Sequence, residues 1–110
     1  MNLELNANSL LVQLGYAQNE ASLKQMQSII DNTKGFDKFS KHILSLVDHI
    51  KHTNSIVAMS NSENYLKIKC EGASSELVAE FHQIVEDWSK KYNIEIKKIP
   101  NKEVYYILGH

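Results

Sequence analysis

Residues 55–70 read SIVAMSNSENYLKIKC, and within them the hydrophobic period of the chain changes from 3.6 to 2. SIVAMS has the composition of a strand, and NSEN is a run of polar, turn-forming residues. YLKIKC alternates: Leu66, Ile68 and Cys70 fall on one face and Tyr65, Lys67 and Lys69 on the other. Two strands joined by a short turn make a hairpin, so the chain is not all-helical.

Downstream, Gly72 interrupts the second strand and Ser74 or Ser75 can cap a helix over SELVAEFHQIVEDWSKKY. Leu77, Val78, Phe81, Ile84, Val85, Trp88 and Tyr92 lie within about 120° of arc at 100° per residue. Glu76 and Glu80 stand near its positive end and Lys90 and Lys91 near its negative end, as the macrodipole favours. NIEIKKI then reads as a third strand, Pro100-Asn101 as a turn, and EVYYILG as a fourth strand.

Upstream of residue 55 the period is helical. A short segment, residues 9–14, ends at Gly15. Asn19 can cap the next helix, on which Leu23, Met26 and Ile30 form a narrow stripe. Gly35 suits a C-terminal position of positive φ, and Asp37 can cap a third helix almost at once. So short a connection predicts an antiparallel helical hairpin. The expected fold is therefore α+β: a short helix and a helical hairpin, followed by a ββαββ unit with a four-stranded sheet. At 110 residues one domain is expected, with residues 1–53 mainly helical and 54–110 forming the ββαββ part.

Composition suggests a sheet order. The first and last strands are apolar on both faces, which suits central positions. The second and third carry Lys67, Lys69 and Lys97 on one face, which suits edges that must resist pairing with other chains. This predicts the order 2-1-4-3. The long helix can cover one face, and the other has two possible arrangements. The helical hairpin either covers it or packs beside the long helix and leaves it as an interface.

Twelve basic and thirteen acidic side chains give a net charge of −1, which argues against capture of nucleic acid or anionic lipid by bulk charge. The start of the chain, with Glu4 and a short apolar run, lacks the pattern of a signal peptide or membrane span. Cys70 is the single cysteine, so no intrachain disulfide can form, and a cytoplasmic location is expected. Its alternation with Leu66 and Ile68 marks it as a small core residue rather than a reactive thiol, which would need exposure and a positive field.

KHILSLVDHIKH, residues 41–52, concentrates three of the five histidines. His42 and His49 are seven residues apart, about 10.5 Å along a helix, too far to share an ion. Asp48 with His52, or His49 with His52, could each supply two ligands, but no spacing supplies a third. Boundary or solvated histidines are expected, with no metal and no cofactor. The carboxylate pairs Glu76/Glu80 and Glu86/Asp87 read as solvated charge, and no phosphate loop or nucleophile motif occurs.

The expected function is that of a small non-catalytic binding protein, acting by protein–protein interaction and self-associating as a homodimer. Its expected interaction face combines Phe39, Ile43, Leu46 and Ile50 of the third helix with Tyr65, Lys67, Lys69 and Lys97 of the sheet. The alternative is a nucleic-acid-associated or regulatory module, because aromatic and basic residues around an apolar middle resemble the means by which sheets hold RNA. Glu95, however, interrupts that charge, and no membrane partner is expected.

Overall fold

A computed structural model describes residues 6–72 and 74–110; the start of the chain around Glu4 lies outside them. The elements are helices α1 (Ala7–Gln13), α2 (Glu20–Asn32) and α3 (Phe36–Ile50), a 3-10 turn (Lys51–Thr53), strands β1 (Ser55–Met59) and β2 (Leu66–Cys70), helix α4 (Ser75–Tyr92), and strands β3 (Glu95–Lys98) and β4 (Val104–Gly109). The α+β layout with helices before the sheet is as expected.

Local signals account for the helix starts. Asn19 caps α2: its side chain accepts from the Ser22 N–H at 2.9 Å, and the Ser22 hydroxyl accepts from the Asn19 N–H at 3.2 Å. Asn6 and Ser9 form the same reciprocal box on α1, so that helix begins two residues earlier than the expected 9–14. Ser74 caps α4 through the Leu77 N–H.

The expected hairpin of α2 and α3 does not form as a packed pair. Thr33 leaves α2 in an extended conformation, φ −95° and ψ 110°, and Lys34 runs beside Gly109, where its carbonyl accepts from the His110 N–H at 2.8 Å. This extended step carries the chain to the end of β4 before α3 begins, so α2 packs on α1 while α3 packs on α4. Gly35 does have positive φ, 68°, but it precedes α3 as that helix's N-cap. A side chain there would also meet the His110 Cβ at 2.9 Å. Asp37 lies inside the first turn of α3, near the positive end, and is not the cap.

The sheet order is β1-β2-β4-β3, antiparallel throughout; the expected 2-1-4-3 is incorrect. β1 is an edge strand whose apolar character reflects helical cover and not two strand neighbours. Its inner face packs on α3, the Tyr16 hydroxyl accepts the Met59 N–H at 3.0 Å, and the Gln25 amide donates to the Ser60 carbonyl. A helix or loop laid over an edge protects it as well as charge does. Conversely, the lysines of β2 mark an uncovered face of a central strand, not an edge. Only β3, with Glu95, Lys97 and Lys98 exposed, matches the charged-edge expectation. Since β2 and β3 each run antiparallel to β4, they are parallel to one another, and α4 carries the chain across β4 from one to the other.

The inner sheet face carries Val57, Met59, Leu66, Ile68, Cys70, Tyr105 and Ile107. These merge with Phe39, Ile43, Leu46 and Ile50 of α3, Phe81, Val85 and Trp88 of α4, and residues of α1 and α2 in one continuous core. Trp88 also donates its indole N–H to the His42 carbonyl at 2.9 Å, tying α4 to α3. The helical segment therefore packs beside the long helix, giving two layers, with one sheet face uncovered among the described residues.

Trp88→Ala should cost about 3–5 kcal/mol in urea denaturation, as for other buried aromatic residues, while the exposed Glu86 should tolerate alanine with little loss. Ile43 is 0% exposed, so Ile43→Glu places an unpaired charge in the core. Far-UV circular dichroism of that variant is expected to show an unfolded chain; a folded protein would contradict the placement of α3.

Candidate ligand-binding face of the sheet

The strand registers define the uncovered face. Ala58, Lys67, Tyr106 and Lys97 stand opposite one another across four strands, and Ile56, Lys69 and Val104 form the next row. Tyr65 extends the face, its ring centroid 6.1 Å from that of Tyr106 with 35° between the planes. No helix lies over these rows among the described residues: Ile56 is 44% exposed, and Tyr65, Lys67, Lys69, Val104 and Tyr106 are half-buried.

The face is not flat. A trough of about 620 Å³ follows β2 and β4 from Ser60 and Ser62 in the first hairpin loop to Lys102 and Glu103 beside the second, with Lys67, Lys69, Val104 and Tyr106 along it. A smaller depression of about 220 Å³ lies toward β1, between Tyr16, Ile56 and Ala58. The size of the trough is in the range of ligand pockets, but it is open along its length.

Three ammonium groups therefore border the trough, and two of the nearby carboxylates, Glu71 and Glu103, are engaged. Glu71 pairs with Lys69 at 3.8 Å, with both side chains roughly half exposed, which contributes little energy. Glu103 is bonded through its carboxylate to His82 Nε2. The Tyr106 hydroxyl lies 3.1 Å from that of Ser62. Hydrogen bonding from Ser62, and then from Ser60, draws the Tyr106 phenol below its ordinary pKa.

Of the residues expected to form the interaction face, the structure brings four together on this surface: Tyr65, Lys67, Lys69 and Lys97. The other four are displaced from it. Phe39, Ile43, Leu46 and Ile50 are each 0% exposed, because α3 lays its apolar stripe on the inner sheet face and α4. They are core, and the expected centre of contact on α3 is not a surface. Glu95, expected among the sheet-face residues, sits past a register shift at an exposed corner. Tyr106, Val104 and Lys102 join the face unforeseen. Strict alternation along EVYYILG separates Tyr105, inward, from Tyr106, outward, and was the available signal.

The histidines divide by environment. His42 stacks on Tyr92 with centroids 3.6 Å apart and planes 14° from parallel; burial, then Lys41 and Lys91, hold it below its ordinary pKa. His49 Nδ1 donates to the Ser45 carbonyl at 2.7 Å, and His52 Nε2 meets Glu80 at 2.7 Å. Among the described residues no group of three or more His, Cys, Asp or Glu side chains is placed to hold a metal ion. Ser45, His49 and Asp87 do line one groove between α3 and α4. However, the His49 nitrogen nearest the Ser45 hydroxyl, at 3.5 Å, already carries the proton given to the Ser45 carbonyl, so it cannot act as base toward that serine. Cys70 is a buried free thiol 3.8 Å from the Thr53 carbonyl.

His82 joins α4 to the start of β4 through both ring nitrogens. With Nε2 donating to Glu103, Nδ1 accepts from the Tyr105 hydroxyl at 2.6 Å. Burial first, then Glu86 and Glu103, push the Tyr105 phenol up to about 12.

Comparison of the chain with protein-family models, with curated proteins and with solved structures finds no match.

The raised Tyr105 pKa has a definite consequence at high pH. The unfolded phenol ionises near 10 and the folded one near 12, so its stabilising contribution is complete below pH 10. It is lost as pH rises toward 12, where the unfolded state releases a proton that the folded state keeps. Urea midpoints measured across this interval should fall, and in Tyr105→Phe they should fall less. Identical alkaline profiles for the two proteins would contradict the buried, hydrogen-bonded phenol.

Proposed function

We propose that this protein is a non-catalytic binding domain whose working surface is the uncovered face of its sheet, and that its partner is an anionic macromolecule. The observation that carries the proposal is the position of Lys67 and Lys69. They stand on a central strand among Ile56, Ala58, Val104 and Tyr106, not on an edge where lysine would serve to block pairing. Lysine in the middle of a semi-apolar concave surface is a means of selecting charge as well as shape.

The partner proposed is not a second copy meeting this face symmetrically. In a twofold contact the same patch meets itself, which would bring the lysine-bearing rows of one copy, with Lys67, Lys69 and Lys97, onto the lysine-bearing rows of the other. Like charges so placed cost several kcal/mol, on the order of what complementary ones contribute. The exposed carboxylates Glu76, Glu80, Glu86 and Asp87 lie on α4, in the helical layer. The same helix carries Lys90 and Lys91 in its last turn and the net charge is only −1, so attraction of an anionic partner depends on the local setting of Lys67 and Lys69.

A non-catalytic role fits the bonding of the titratable groups: His82, Glu103, His52 and Glu80 engage one another in structural pairs. We further assign the protein to the cytoplasm, in keeping with the buried free thiol of Cys70. Among the described residues no helix is long and apolar enough to cross a membrane.

Affinity capture from a lysate of the native organism tests the proposal when wild type is compared with a folded Lys67→Glu/Lys69→Glu variant. Material retained by wild type at physiological salt is expected to be lost from the charge-reversed protein. Equal retention by both would place the binding surface elsewhere.

A further inference from the structure

We propose that the anionic partner is a single-stranded nucleic acid, bound along the trough with bases stacked on Tyr106 and Tyr65 and phosphates against Lys67, Lys69, Lys97 and Lys102. The inference rests on the preceding assignment of the sheet face as the binding surface and goes beyond it by naming the occupant.

The discriminating feature is the placing of aromatic rings among the ammonium groups. Lysines alone would serve an acidic polypeptide equally well. Here Tyr106 stands in register between Lys67 on one side and Lys97 on the other, and Tyr65 adds a second ring on the same face. A π-face flanked by positive charge is what a nucleotide requires: stacking holds the base, and the cation holds the phosphate on either side of it. Lys67 and Lys69 are two residues apart on one strand, so their Cβ atoms lie about 7 Å from each other along the trough. Lys102 stands at its end, where it can follow a backbone running with the strands.

A single strand is favoured over a duplex because stacking on tyrosine needs bases that are not already stacked and paired. The carboxylate that borders the trough, Glu103, is drawn toward His82 on the side of α4. The exposed Ser62 hydroxyl at the opposite end, beside that of Tyr106, supplies a neutral hydrogen-bonding group suited to a base edge or sugar, whereas the Ser60 hydroxyl is buried and bonded within its own loop. The contact set contains no bidentate arginine, since the basic residues named are all lysines. Recognition is accordingly expected to be tolerant of base sequence.

Fluorescence anisotropy with labelled oligo(U) and oligo(dT) of about twelve nucleotides tests the inference. A polyglutamate peptide of equal charge, followed by amide chemical shifts, serves as the anion without bases. Both oligonucleotides are expected to bind. With a phosphate neutralised by each of the four lysines on a single strand, affinity should fall about fiftyfold between 50 and 200 mM salt. Tyr106→Ala should weaken binding by about fivefold or more, and Tyr106→Phe should retain it. Lys67→Glu, at a half-exposed position, supplies a variant that keeps the ring and removes the charge, and it should abolish binding.

If polyglutamate shifts the Lys67, Lys69 and Tyr106 resonances while the oligonucleotides bind no better and are indifferent to Tyr106→Ala, the nucleic-acid inference is overturned and the sheet face remains the binding surface. If neither anion perturbs those resonances, both proposals fall.

Discussion

The antiparallel ladder between β2 and β4 governs both the core and the exposed surface of this molecule. Opposing Leu66 to Ile107 and Ile68 to Tyr105 builds the inner face of the sheet from the largest apolar side chains of both strands. The intervening residues, Lys67 and Lys69 against Tyr106 and Val104, are thereby sent to the other face together. Because strand side chains alternate with period 2, no local adjustment could bring one set in without moving the other out. The core and the basic aromatic surface are two consequences of one register.

The helical layer is organised to complete the first of these. α3 and α4 lie on the inner face and are tied by the Trp88 indole to the His42 carbonyl, while His42 stacks on Tyr92. His82 extends the tie to β4 through Tyr105 and Glu103. These are polar contacts between elements whose apolar faces are already buried. Their role is to fix how α4 crosses the sheet more than to supply the stability, which comes from the core. The histidine-rich stretch, residues 41–52, belongs to this framework. His42 sits at the margin of a buried helix face, His49 bonds to the Ser45 carbonyl one turn back, and His52 reaches Glu80 of α4.

Element types were legible in the sequence because the hydrophobic period and the caps act locally. Asn19, Ser74 and the alternation of YLKIKC each give the right answer from a few residues. Strand order was not legible, because an apolar edge covered by helices and an apolar central strand have the same composition. β1 is apolar owing to α3, Tyr16 and Gln25, which no pattern within SIVAM reveals. The helical hairpin failed for a related reason: a short connection predicts packing only if the chain turns within it, and Thr33 and Lys34 run on to meet Gly109. Half of the candidate interaction face was misplaced with it. Phe39, Ile43, Leu46 and Ile50 look the same whether a helix face meets the protein's own core or a partner. Tyr65, Lys67, Lys69 and Lys97 were found because alternation alone assigns a face, whatever the strand order.

The arrangement of the binding surface rests on β2 and β4 being neighbours, and this is open to direct measurement. Solution NMR should show cross-strand nuclear Overhauser contacts linking Lys67 to Tyr106 and Ile68 to Tyr105, with β1 backbone protons in contact with β2 alone among the strands. Backbone contacts joining β1 to β4 in a parallel pattern, with none between β2 and β4, would contradict the structure. They would return Lys67 and Lys69 to a sheet edge.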